Sequence, residues 1–435
     1  MRDIILPEPD KPIDIYYGGL HLTFETANAG PITIIGIGSI KFNWQPELGI
    51  IFELSQVNEL VKDSFKSIFS ENLFDEVKCH IESIEPLSLP DGMVFFDGHL
   101  TGIEGRSSFV KLRGIPRRRV SVNYGTTRTC YKLKFYLANL STRQFQVRDG
   151  EWDICLIPLD GYENLDKLKD GGTKYVVTHS FEARRNNGSD ITAEDVEHLT
   201  DAWGKLFSFI RGGWCYPICF IGYKLNESAW AEWNKPILSP LDDPRKGWSL
   251  TERDFRPMFN KIIEYIKDDF WAEVMSLAIE WYIKANRNNA TEIKEQIIFC
   301  QTALELLAWA YMVEFKKYFS SNGFAELHAS GQIRVLLIEL RIGAGMPLGI
   351  PDLLQFCGNV DGPKALTKIR NAIIHPKRAK REQLRDLPNI AMNQALTLGL
   401  WYLELVLLRL LGYNGSYYNR LTHSIRNVPW GESPL

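Results

Sequence analysis

Near residue 245 the hydrophobic pattern of this chain changes its period, and no single regular architecture accommodates both halves. Up to that point the apolar residues come in short runs rich in β-branched and aromatic side chains, parted by Gly, Pro, Asn and Asp. Such runs predict strands over Ile32–Phe42, Gly49–Leu54, Val77–Ile84, Met93–Gly102, Ser107–Leu112, Thr129–Leu137, Glu151–Leu156 and Lys174–Phe181. Residues 235–249, with Pro236, Pro240, Asp242-Asp243-Pro244 and Gly247, read as a boundary. Beyond it the spacing is helical. Helices are expected over Phe255–Lys284, Thr291–Phe319, Gln332–Leu340, a segment ending at His375, and Ile390–Leu411.

The fold class that follows is α+β: a β-rich sandwich or barrel-like module over 1–245, then an all-α bundle over 250–435. The first half is not purely β. Thr192 and Asp195 are spaced as a capping box before Val196, Leu199, Trp203, Leu206 and Phe207, which predicts a helix stopped at Gly212-Gly213. Tyr216–Tyr223 then reads as a further strand.

Composition narrows the function classes. The chain is 45% hydrophobic and 12% aromatic with a net charge of −3, which is not the balance of a strongly basic, non-specific nucleic-acid binder. Its N-terminal stretch lacks the apolar core of a signal peptide, and the apolar run Leu396–Leu411 is broken by Glu404 and Arg409. A cytoplasmic protein with no membrane partner is expected. Seven cysteines, an odd number without CxxC pairs, suit reduced thiols, and Cys215 and Cys219 read as buried strand residues with no zinc. Asp170-Gly171-Gly172-Thr173-Lys174 lacks P-loop spacing, so no nucleotide cofactor is assigned, and none of any other kind. Asp97 and His99 share a strand face, with Glu104 nearby, but a structural or solvent-facing pair is the stronger reading. Arg117-Arg118-Arg119 suits either phosphate contact or protection of a sheet edge. In the tail, Tyr417-Tyr418, Arg420 and His423 are expected to close the bundle.

The stretch richest in chemistry is Arg370-Asn371-Ala372-Ile373-Ile374-His375-Pro376. It follows the turn Asp361-Gly362-Pro363, a cap with proline in the first turn, and Pro376 should end the helix at His375. Ala365, Leu366, Ile369, Ala372 and Ile373 form the apolar stripe, while Arg370, Asn371, Ile374 and His375 fall on the other half of the wheel. An isoleucine among Arg, Asn and His suits a face that meets another surface, such as a second copy of the same helix. From Asp361 to Asp386 there are eight basic against three acidic side chains, a local +5 in a chain whose net is −3. Imidazole can donate or accept a proton near neutral pH, and guanidinium presents a permanent fork of donors to phosphate. Together they suit attack of an RNA 2′-hydroxyl on the adjacent phosphate, without a metal. A solvated helix end with basic residues complementing the helix dipole would carry the same residue types.

Arg370-Asn371-x-x-x-His375 resembles the Arg-polar-x-x-x-His signature of the HEPN superfamily of helical ribonuclease domains, and the order of a β-rich half before it resembles the ApeA-type anti-phage family. The resemblance implies that the C-terminal bundle is HEPN-like, that Arg370, Asn371 and His375 are catalytic, and that two subunits meet there as a homodimer cutting RNA. Both tRNA and mRNA stay open as substrates, and a phage-derived trigger acting through the N-terminal module is expected. Lys368, Lys377, Arg378, Lys380 and Arg381 would bind RNA. Gln301 and Glu305 lie one turn apart in an apolar helix, and Glu305 is expected to pair with Arg370 and orient it. The competing expectation is a non-catalytic platform that binds RNA or a partner protein.

Overall fold

The computed structural model describes residues 8–24, 31–45, 48–55, 78–83, 93–106, 109–117, 119–123, 129–160, 165–225, 227–243, 255–375 and 377–431. The chain folds as two compact units, one of residues 1–140, 144–197 and 216–241, the other of 141–143, 198–215 and 242–435.

Among the described residues, the first unit is built on one antiparallel sheet of thirteen strands. Six of them close on themselves: β1 (Ile13–Phe24), β2 (Ile32–Asn43), β3 (Gly49–Ser55), β4 (Lys78–Ser83), β5 (Met93–Arg106) and β6 (Phe109–Pro116) run in the order β4-β1-β2-β3-β6-β5, and β4 pairs with β5 to shut the ring. The alternation that makes this barrel is plain in β4, where Cys79, Ile81 and Ser83 point inward and Lys78, His80 and Glu82 outward. Inside, Leu20, Leu22, Ile40, Phe52, Leu54, Ile81 and Leu112 are essentially inaccessible, and the Phe52 and Phe96 rings meet edge to face at 5.5 Å. Of the two architectures expected from sequence, the barrel-like one is present.

At its start β5 leaves the ring. Met93, Val94 and Phe95 pair with β7 (Arg119–Asn123), whereas Gly98–Arg106 pair with β6. From β7 an open sheet continues through β13 (Glu227–Asn234), β12 (Cys219–Lys224), β8 (Lys132–Ala138), β11 (Val177–Arg185), β10 (Trp152–Pro158) and β9 (Phe145–Asp149). A stacked pair, Phe135 on Phe181 at 4.5 Å, and Phe220 at 5.3 Å from Phe135 fill its buried face. A short helix, α1 (Leu165–Asp170), lies between β10 and β11.

Helix α2 (Ala193–Arg211) begins with the expected capping box: Asp195 N–H donates to Thr192 Oγ1 at 3.2 Å and Thr192 N–H to Asp195 Oδ2 at 2.8 Å. Its residues from His198 onward group with the second unit. The reason is packing, since Phe207 meets Phe259 at 5.9 Å and Phe209 meets Tyr282 at 5.3 Å.

The second unit is helical: α3 (Phe255–Ile266), α4 (Asp269–Ala285), α5 (Ile293–Trp309), α6 (Ser321–Ala325), α7 (His328–Glu339), α8 (Pro351–Cys357), α9 (Gly362–Ile374), α10 (Arg378–Arg385) and α11 (Asn389–Leu410), then a hairpin of β14 (Ser416–Asn419) and β15 (Ser424–Asn427). The single helix expected over Phe255–Lys284 is two, because Asp268 accepts from Trp271 N–H at 3.0 Å and caps a new start. After α5 the chain passes into a π-helical turn, Ala310–Phe315, and only then ends. The segment Ile293–Phe315 and α11 are each long and apolar enough to cross a membrane, yet both are mostly buried within this unit. Beyond its first turn, α11 is buried nearly all round.

Two polar clusters hold this unit. In the core, Arg420 from the tail donates through Nε and Nη2 to Glu404 of α11 at 2.7–2.9 Å, and through Nη2 to Asn286 Oδ1 at 2.7 Å. Tyr282 of α4 gives its hydroxyl proton to Glu404 at 2.7 Å. Burial alone would weaken the guanidinium's hold on its proton, but Glu404 reverses this and pushes the Arg420 pKa up. At the start of α9, Asp361 accepts from Lys364 N–H at 3.0 Å as N-cap and from Arg334 Nε and Nη2 at 2.5 and 3.0 Å. Burial would raise the Asp361 pKa, but these hydrogen bonds and the Arg334 charge outweigh it and hold the carboxyl below its ordinary range.

Arg420→Met should cost about 3–5 kcal/mol in urea denaturation, since it leaves a buried carboxylate unpaired, and adding Glu404→Leu should recover part of that loss. The Asp361 cap supplies a pH test. A depressed carboxyl adds stability that is fully present above the unfolded value of about 3.9 and lost as pH falls through the folded value. In Arg334→Gln this contribution shrinks, so the variant should be less stable than the wild type at neutral pH and the gap between them should narrow as pH falls below about 4, read by urea melts across the acid range.

Candidate functional site

The candidate site is the C-terminal end of α9. The helix is fixed in place from three sides, as it packs against α5, α7 and α11. Its buried stripe is Ala365, Leu366, Ile369 and Ala372, as the wheel requires, with Ile373 half-buried. Gly362 opens the helix where a Cβ would collide with the Tyr402 hydroxyl, so α11 reaches the first turn of α9 only because that side chain is absent.

His375 is the C-cap, with φ −83° and ψ 134°, and its N–H still donates to Asn371 O at 3.1 Å. An extended backbone is what a residue preceding proline adopts, so the sequence reason for the stop is visible at His375; Pro376 itself lies outside the described residues. His375 is exposed, Ile374 is 37% exposed, and Arg370 and Asn371 are half-buried. Arg370 Nη1 donates to Asn371 Oδ1 at 3.3 Å, while the Arg370 Nε proton is buried without a partner among the described residues. Thr367, one turn earlier, also has a buried Oγ1 with no partner. An unsatisfied buried donor costs free energy unless something binds it, which makes Arg370 the feature of this helix that most wants an acceptor.

Several expected contacts are not made. Glu305 does not pair with Arg370: its Oε1 accepts instead from Gln301 Nε2 at 2.6 Å, the neighbour one turn earlier on α5, which reaches it without crossing between helices. Gln301 is fully buried and its Oε1 has no partner. Lys368 points away from the Arg370 face; its Nζ donates to Cys357 O at 3.2 Å and lies 5.6 Å from the centre of the Phe356 ring, closing the end of α8. The remaining basic residues stand on or beside α10, which buries no side chain. There Arg378 pairs with Glu382 at 2.8 Å and Lys380 with Gln383 at 3.2 Å, while Lys377 and Arg381 are exposed.

Sequence reasoning missed Thr367 and Arg334. Neither carries a spacing signal, because the hydroxyl matters only through its burial and the guanidinium only through a partner 27 residues away. Elsewhere, Asp97 takes His80 as its partner at 2.9 Å rather than forming a site with His99, and the Glu104 side chain lies outside the described residues. Arg118 is likewise outside them. Arg420 joins the core, as expected for a tail that closes the bundle, and Tyr418 contacts His423 at 3.2 Å. All seven cysteines are free, and burial pushes the Cys79, Cys130 and Cys215 thiols up to about 12, which leaves them inert as nucleophiles.

Comparison with known proteins gives relatives. No solved structure matches the chain. It is 28% identical over 450 residues to the SPbeta prophage-derived uncharacterized protein YopA of Bacillus subtilis (strain 168), an alignment that covers 97% of this chain and 95% of that one. Residues 122–244 match the family model of the YopA central domain, and residues 268–429 that of the YopA C-terminal domain.

Proposed function

We propose that the chain is a metal-independent endoribonuclease with a HEPN-like helical domain. The observation that carries this reading is the end of α9, where an exposed imidazole and a guanidinium whose buried Nε proton has no partner among the described residues stand five residues apart beside a basic helix. In this reading RNA phosphate approaches the surface marked by Lys377, Arg378 and Arg381, and Arg370 donates to its non-bridging oxygens. His375 moves a proton at the 2′-hydroxyl or at the leaving 5′-oxygen, and the two-proton chemistry is completed by the same residues of a second copy. Asn371 holds Arg370 Nη1 and so sets the angle of the fork. The half-exposed Ile374 supports a homodimer joined through this face. A relative of prophage origin fits a role in conflict between phages and their hosts, where an RNA-cutting protein acts by abortive infection once triggered. The cytoplasm is the compartment in which such a reaction meets its substrate.

A second reading has its own observation. Glu305 does not orient Arg370, so the guanidinium is braced only by its neighbour in sequence, which is enough for a platform that binds RNA or a partner without cutting. The two readings separate on one experiment. Induction of the wild type should yield discrete RNA fragments ending in 2′,3′-cyclic phosphate and 5′-hydroxyl, with or without chelator. His375→Ala should lower cleavage by roughly 10² to 10⁴, and Arg370→Ala should remove about 3 kcal/mol of transition-state stabilisation. Fragments that need Mg²⁺ and carry 5′-phosphates would refute the mechanism. RNA left intact by the wild type, with and without phage challenge, alongside retained RNA binding, would establish the platform.

A further inference from the structure

Where β5 leaves the barrel to join the open sheet, β4 lies along one of its edges and β7 along the other, and the outward side chains of the three strands surround a concavity of about 310 Å³. That is the lower end of the range for small-molecule sites. On one side His80 Nδ1 is held at 2.9 Å from Asp97 Oδ1, which fixes the ring and turns Nε2 outward. Opposite stand Arg117 and Arg119, and Phe95 supplies an apolar wall.

The charges in this hollow are unevenly matched. Asp97 is committed to His80. Arg119 Nη1 is committed to Glu232 at 2.9 Å and Glu197 at 3.3 Å, which braces the guanidinium and leaves its Nε and Nη2 without a hydrogen-bond partner among the described residues. Glu232 is itself buried, so this brace is part of the fold and not a chance surface pair. Arg117 makes no side-chain hydrogen bond or ion pair among the described residues; only its backbone N–H is used, donating to Asp97 O at 2.8 Å. The hollow therefore presents two guanidinium forks and one oriented imidazole, and the carboxylates that meet them, Asp97, Glu197 and Glu232, are engaged.

We infer that this hollow binds a nucleoside monophosphate. Two guanidinium forks, Arg117 just after β6 and Arg119 on β7, match the oxygens of a phosphate monoester, for which the planar arginine fork is the preferred partner, and His80 on β4 adds a donor at Nε2 in its imidazolium form. The volume exceeds what phosphate alone would fill, and the half-exposed Phe95 ring offers a face on which a base can lie. The site lies wholly in the β-rich unit and does not depend on the reading of α9.

The test is calorimetric titration of the full chain with AMP, with inorganic phosphate and adenosine as separate probes. Saturable AMP binding is expected, about tenfold or more weakened in Arg117→Ala and in His80→Ala, and partly restored in Arg117→Lys. Adenosine should bind far more weakly than AMP. Arg117 is exposed and His80 half-exposed, so both variants should fold, which an unchanged thermal melt would verify. Absence of AMP and phosphate binding up to about 10 mM would overturn the site, as would AMP affinity unchanged in both alanine variants. Phosphate binding as tightly as AMP would overturn the nucleoside part. Because Arg370→Ala leaves this hollow untouched, AMP binding in that variant should equal the wild type whether or not the chain cuts RNA.

Discussion

A carboxylate and a guanidinium with almost no access to water set the terms for the helical unit. Glu404 sits in the middle of the most apolar helix of the chain, a position that is untenable without a cation, and Arg420 reaches it from the segment that follows. With Tyr282 and Asn286 adding hydrogen bonds from α4 and its C-cap, one polar knot joins α4, α11 and the tail. The tail is therefore structural. Hydrophobic burial would be satisfied by several rotations of α11, whereas this set of hydrogen bonds is satisfied by one, and α9, which packs on α11, inherits its placement from it.

What could be read from the sequence follows from how far apart the determining residues lie. The end of α9 was legible because Asp361, Pro363, Arg370 and His375 act within one helix, and their spacing alone states which face each takes. Strand β4 was legible for the same reason. Strand β13 was not, since Glu227–Asn234 mixes Trp, Ala and Glu without a clean alternation and is a strand because β12 and β7 flank it. The Glu305 expectation failed on a local competitor: Gln301, an i−4 neighbour, outcompetes a partner on another helix. Arg334 with Asp361, and Arg420 with Glu404, could not be paired from sequence, because nothing local distinguishes the arginine that finds a buried acid from one that meets water.

The proposed chemistry depends on a helix that is well anchored at one end and unsatisfied at the other. The N-terminus of α9 has its cap, its proline and an arginine clamp, whereas the C-terminus exposes His375 and Ile374 and leaves a donor of Arg370 unused. That asymmetry suits a recognition element. Rigidity at the root spares the tip from paying ordering entropy when a phosphate or a second chain arrives.

The fork at β5 also decides how the sheet ends. An open sheet normally has two edges, each a row of unpaired backbone groups able to recruit a strand from another molecule. Here β7, which would be one edge, lies against the first residues of β5, and β5 belongs to a ring in which each of the six strands pairs on both sides over part of its length. Among the described strands that leaves β9 as the only terminus of the sheet, five residues long with Gln146 and Arg148 facing outward. The barrel thus takes over one flank of the sheet through β5, and the other flank ends at a short strand with polar outward residues.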